Sequence, residues 1–179
     1  MRESSKAALC GIVAALAVVI MMITYISPVL VYTAPPFAGL ILLLIVNEVS
    51  FSRAVGTYFA VSLLSLFLIA DKEAATFFTC FFGFYPILRI FLDKKIKLKA
   101  IKWIIKVLVF NLSLLSSVCV SMYIFNIDYS DFTDGGKYMA YLFFVMMNVV
   151  FVLFDFLIGR LQILYFLRLQ KRFRKLFKH

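Results

Sequence analysis

One acidic side chain, Asp155, sits deep inside an apolar run, between Phe154 and Phe156. An ionised carboxylate in such surroundings must face the protein interior, find a partner or take up a proton. Lys106, Arg89 and Arg160 fall at a similar depth along their own segments, with Asn111 as a further donor. The sequence therefore predicts a buried charge pair, Asp155 with Lys106; a proton relay or gate is the other chemistry open to the same carboxylate. Hydroxyls form the second set. Ser113, Ser117 and Ser121 recur every four residues and share one helix face. They either bond back to their own helix or line a pocket. If they line one, Tyr32, Thr33, Thr76, Thr79, Ser117, Ser121, Tyr138 and Tyr141 belong to the same half of the bundle. Such an aromatic wall with a few hydroxyls suits a planar small molecule.

Other chemistries lack their residues. The single histidine is His179, the last residue, so there is no Ser-His-Asp or Cys-His pairing and no histidine metal-ligand set. Cys10, Cys80 and Cys119 are far apart, each inside an apolar run, which predicts neither a disulfide framework nor a zinc site. There is no G-x-x-x-x-G-K-[ST] phosphate loop, so any energised transport needs a nucleotide site on another chain. We expect no enzyme activity, no cofactor and no metal.

The elements that must position these residues follow from composition. The chain has 179 residues, 64% of them hydrophobic and only 16% charged, with a mean hydropathy of +1.02. Roughly 45–50% apolar residues is usual for a soluble domain. A water-soluble fold of this size could not cover so much apolar surface, and disorder is excluded on the same ground. The expected class is an all-α polytopic membrane protein of six spans, at 7–26, 36–47, 54–70, 74–92, 103–125 and 138–164, followed by a basic amphipathic tail at 165–179. Ala7–Ile26 alone is twenty residues without a charge, enough to cross a ~30 Å hydrocarbon layer.

Charge sets the expected orientation. All 19 lysines and arginines except Lys72 and Lys137 fall in segments that six spans would place on one side. Lys72 and Lys137 share their loops with Asp71, Glu73, Asp128, Asp131 and Asp134. The positive-inside rule then puts both termini in the cytoplasm of a bacterial plasma membrane. The formal net charge of +10 is accounted for by anionic lipid at the tail rather than by nucleic acid.

Two segments depart from plain membrane helix. Pro35-Pro36 favours a helix start, leaving Phe37–Val46 as about 15 Å of helix. Residues 28–35 then either fold into the bundle beside a pocket or belong to one helix kinked at the prolines. In the first span, Ala7, Gly11 and Ala15, with Ala14 beside them, make a small-xxx-small ridge. Such ridges let helices approach closely in lipid, within one chain or between subunits.

This layout, with a basic start leading into Lys6-Ala7-Ala8-Leu9-Cys10-Gly11-Ile12-Val13-Ala14-Ala15-Leu16, resembles the substrate-binding S components of energy-coupling factor (ECF) transporters. The resemblance implies a capturing subunit for a vitamin-like solute, working with a transmembrane T component and ABC ATPases. It implies that Ala7, Gly11, Ala14 and Ala15 dock the T component, and that Tyr32 to Pro35 close over the ligand. It does not indicate which ligand. Two other readings of the same layout are a membrane scaffold or cell-shape factor of the MreD kind, and a small secondary carrier using Asp155.

Overall fold

The structure, a computed structural model, describes residues 3–27, 29–126 and 137–165. Residues 166–179 of the expected tail, His179 among them, and the loop acids Asp128, Asp131 and Asp134 lie outside the described residues. The described residues are helical, without a strand. They form α1 (Glu3–Met22, extended by a 3-10 turn, Ile23–Tyr25), α2 (Leu30–Glu48), α3 (Phe51–Leu68), α4 (Lys72–Phe77), a π-helical turn (Phe78–Phe82), α5 (Tyr85–Lys95), α6 (Lys99–Phe125) and α7 (Lys137–Leu164). With α4, the π turn and α5 counted as one rod, six helices are long and apolar enough to cross a membrane. Their outward faces are apolar too: Ile12, Leu16, Phe59, Phe67, Leu112, Val145 and Val149 are all exposed. Such surface is costly in water and free of penalty in lipid.

Starts of α1, α3 and α6 and ends of α2, α5 and α7 gather at one end of the bundle. Glu3 pairs there with Arg53, Lys102 with Asp93 at 3.2 Å, and Glu48 accepts from the Tyr165 hydroxyl. We call this the basic end. Arg53 thus reaches α1 and Glu48 reaches Tyr165, and the two side chains do not pair with each other. Ser50 caps α3 through the Arg53 amide, 3.4 Å.

Of the two alternatives for the second span, the structure has the single helix through the prolines. α2 starts at Leu30, not Pro36, and runs through both prolines. The prolines stand in its second turn, so only the bonds to the carbonyls of Val31 and Tyr32 are lost. Unwinding 28–35 in lipid would expose many more backbone groups. Tyr32 to Pro35 are therefore helical, and no lid loop forms there.

The most buried rod is α4–π–α5, and it divides the core in two. On one side α1, α2 and α3 bury Leu9, Val13, Ala17, Leu42, Ile45 and Val61 around Ala74 and Phe78. On the other, α6 and α7 close an aromatic cluster. Phe110 stacks on Phe151 at 4.6 Å, and Phe81 meets the rings of Tyr85 at 4.7 Å and Phe110 at 4.9 Å. The π turn is a consequence of Pro86. Proline cannot donate to the Phe82 carbonyl four residues back, and the chain widens so that Gly83 donates to the Phe78 carbonyl at 2.8 Å. Gly39 of α2 fills the space beside the released carbonyl: a Cβ there would lie 2.1 Å from the Phe82 oxygen.

Between α6 and α7, Asn111 and Asn148 exchange two amide hydrogen bonds, each 3.2 Å, and each also donates to its own helix at 2.9 Å. Asn111 thus pairs with Asn148 rather than with Asp155. At the far end, Asn126 ends α6 in the left-handed region, φ 50°.

Candidate functional site

Two polar sites lie at opposite ends of the bundle. At the end away from the basic one, the termini of α1, α2 and α3 and the start of α4 surround a cavity of about 450 Å³, lined by Thr24, Tyr25, Ser27, Val31, Tyr32, Ala70, Asp71 and Glu73. This is within the roughly 300–1,000 Å³ typical of small-molecule sites. The Tyr32 hydroxyl donates to Glu73 Oε1 at 3.0 Å, which fixes the ring across the cavity wall. Asp71 supplies a second carboxylate. Lys72 between them turns away: its ammonium donates to the carbonyls of Leu66 and Ile69, both 2.8 Å, and closes the carboxyl end of α3. The lining is accordingly acidic and aromatic. Val31 and Tyr32, whose carbonyls lose their helical donors to the prolines, also lie on it.

Of the eight residues expected to bind substrate, only Tyr32 lines this cavity. Thr33 is exposed at an apolar groove with Phe37 and Leu157, on the other side of α2. Thr76 is buried and donates to the Lys72 carbonyl at 2.6 Å. Ser117 and Ser121 are buried in α6, which packs on α4 and the π turn, and neither makes a hydrogen bond among the described residues. Thr79 offers its carbonyl to the Tyr58 hydroxyl at 2.6 Å. Tyr138 is 87% exposed and Tyr141 faces the α6–α7 surface near Asn148. The structure therefore disperses the expected hydroxyl set. Depth along a span was the only guide to it, and depth does not fix the direction in which a side chain points. Tyr25, Asp71 and Glu73 were missed as lining residues, although the acid pair flanking Lys72 at a span end was visible.

The second site is a charge cluster inside the basic half. Asp155 and Lys106 are each about 5% exposed. The Lys106 ammonium lies 2.9 Å from Asp155 Oδ1, and the Tyr85 hydroxyl donates to the same oxygen at 2.5 Å. Arg89 Nε stands 3.3 Å from that oxygen and 3.7 Å from Asp93 Oδ2. Arg89 also donates to the Asp155 carbonyl. That approach depends on Gly159, one turn further along α7, where a Cβ would lie 2.9 Å from the guanidinium. The pairing of Asp155 with Lys106 thus sits in a larger network. Tyr85 and Arg89 lie four apart on α5, and Asp155 and Gly159 four apart on α7, so each pair shares a face. Arg160 does not join; it stacks on Phe156 at 5.0 Å.

On α1, Ala7, Gly11 and Ala15 are exposed, whereas Ala14 packs against the α1–α2–α3 core. A Cβ added at Gly11 would meet nothing within 4 Å. The ridge of small residues therefore faces outward without a partner helix among the described residues. No cluster of metal-binding side chains occurs among the described residues. Comparison with protein families, with characterised proteins and with solved structures yields no match.

Proposed function

We propose that the chain is a multi-pass protein of a bacterial plasma membrane with both termini cytoplasmic, and that it captures a small solute from outside as the substrate-binding subunit of an ECF-type transporter. The observation that carries this reading is the cavity of about 450 Å³ at the end opposite the basic one. Its two carboxylates and two tyrosine hydroxyls favour a solute that presents amine or hydroxyl donors. The outward ridge of Ala7, Gly11 and Ala15 supports docking to a transmembrane T component, since small side chains permit close contact in lipid. With no nucleotide motif of its own, the subunit draws energy from ABC ATPases on partner chains. A scaffold of the MreD kind needs no such cavity. A carrier turning on Asp155 is disfavoured by the two donors and the guanidinium around that carboxylate, which hold it in an ion pair.

Purification of the native protein with its membrane partners tests the proposal. We expect a membrane subunit and ATPases in the complex, and a small molecule released on denaturation and identified by mass spectrometry. Ala15→Leu is expected to dissolve the complex while the subunit remains folded. A complex unchanged by Ala15→Leu would remove the docking surface, and absence of any retained solute would remove the cavity's role.

A further inference from the structure

We propose that a pocket beside the buried charge cluster binds the phosphate-ester headgroup of an anionic phospholipid. The pocket, about 270 Å³, lies between α6 and α7 near the basic end and is lined by Arg89, Trp103, Asp155, Gly159 and Arg160, with Val152, Phe156 and Ile163 forming its apolar wall.

Charge is the first argument. Arg89, Lys102, Lys106 and Arg160 are four cations around two carboxylates, Asp93 and Asp155. Both acids are already engaged by Arg89, Lys102 and Lys106. Arg160 is left with no hydrogen bond or ion pair among the described residues; its contact is the Phe156 ring. A cation lodged beside apolar surface at this depth is stabilised by an anion that can reach it there. Guanidinium groups match the oxygens of a phosphate in geometry as well as charge.

Position is the second. Arg160 lies one turn before the end of α7, the depth at which a spanning helix meets the headgroups. Trp103, 44% exposed, stands at the same level, where an indole anchors to the interface. The exposed faces of Phe156 and Val152 continue from the pocket along the outside of α7 toward the bilayer centre. An acyl chain could follow them while the headgroup stays on the arginines. An anion joined to an apolar chain satisfies both halves of the pocket, whereas a free anion satisfies one.

The test is lipid retention by the full-length protein, read by native mass spectrometry after purification from vesicles of phosphatidylcholine with or without phosphatidylglycerol. We expect phosphatidylglycerol to be retained in preference to phosphatidylcholine. Arg160→Gln should weaken that retention about fivefold, the effect of one cation at the surface, with thermal stability little changed because its one other contact is the exposed Phe156 ring. Arg160→Lys should keep most of it. Lys175→Gln, in the basic tail, should leave it intact. Equal retention of the two lipids, or equal losses from Arg160→Gln and Lys175→Gln, would overturn the site. Displacement of the lipid by excess inorganic phosphate would uphold the anion site and overturn its lipid source.

Discussion

Among the described residues, Asp155 is the buried acid on which polar side chains of α5 and α6 converge. One oxygen takes an ammonium, a phenol and the edge of a guanidinium. Burial of a lone carboxylate is prohibitive, and the arrangement works because the cationic neighbours offset its charge and Oδ1 accepts two hydrogen bonds. The cost of removing one partner is therefore mostly the cost of stranding the others. Asp155→Asn leaves Lys106 charged at about 5% exposure and should lower unfolding stability by roughly 3–5 kcal/mol. The double variant Asp155→Leu with Lys106→Met removes both charges and should recover most of that loss. Thermal unfolding of the parent, Asp155→Leu, Lys106→Met and the double variant in detergent measures the coupling. Equal losses in the single and double variants would show that the two charges do not depend on each other.

Among the elements, the rod formed by α4, the π turn and α5 is decisive, since both halves of the core pack on it. Its widened turn follows from Pro86, and α2 answers with a glycine. Gly39→Ala would set a methyl carbon 2.1 Å from the Phe82 carbonyl oxygen, a backbone atom with no room to yield. The expected loss is about 1–3 kcal/mol, the usual range for overpacking. Gly56→Ala in α3, where an added carbon meets nothing within 4 Å, is the matched control and should unfold no earlier than the parent. The prolines of α2 show the opposite tolerance. Helix continues through them because breaking two bonds near its start is cheaper than leaving a loop in lipid.

For the whole molecule, the asymmetry between the two ends is the main functional clue. One end gathers cations and anchors Trp103; the other holds the acidic cavity, whose intervening lysine is folded back on α3. Orientation follows if the basic end meets the cytoplasm. In a background with Cys10, Cys80 and Cys119 replaced, a cysteine at Asp71 should react with an impermeant thiol reagent added outside intact cells. One at Lys97 should react only after the membrane is opened. The reverse pattern would invert the chain and place the cavity inside.

Much of this architecture is legible in the sequence because lipid imposes a simple rule: every spanning segment must be long, apolar and internally bonded. Six spans, their connections and the isolation of Asp155 in an apolar run all follow from composition read along one dimension. The pairing with Lys106 is also suggested by depth, since two unlike charges at one level of a bundle gain by meeting. Tertiary structure alone decides which way each side chain faces. It turns Ser117 and Ser121 into packing against α4 and the π turn, sends Tyr138 outward, brings Tyr85 and Arg89 onto Asp155 over Gly159, and makes a cavity from Tyr25, Tyr32, Asp71 and Glu73. Rotation of an apolar helix about its axis is weakly marked when both lipid and core accept the same residues. Contacts between helices settle it, and those are not written along any single one of them.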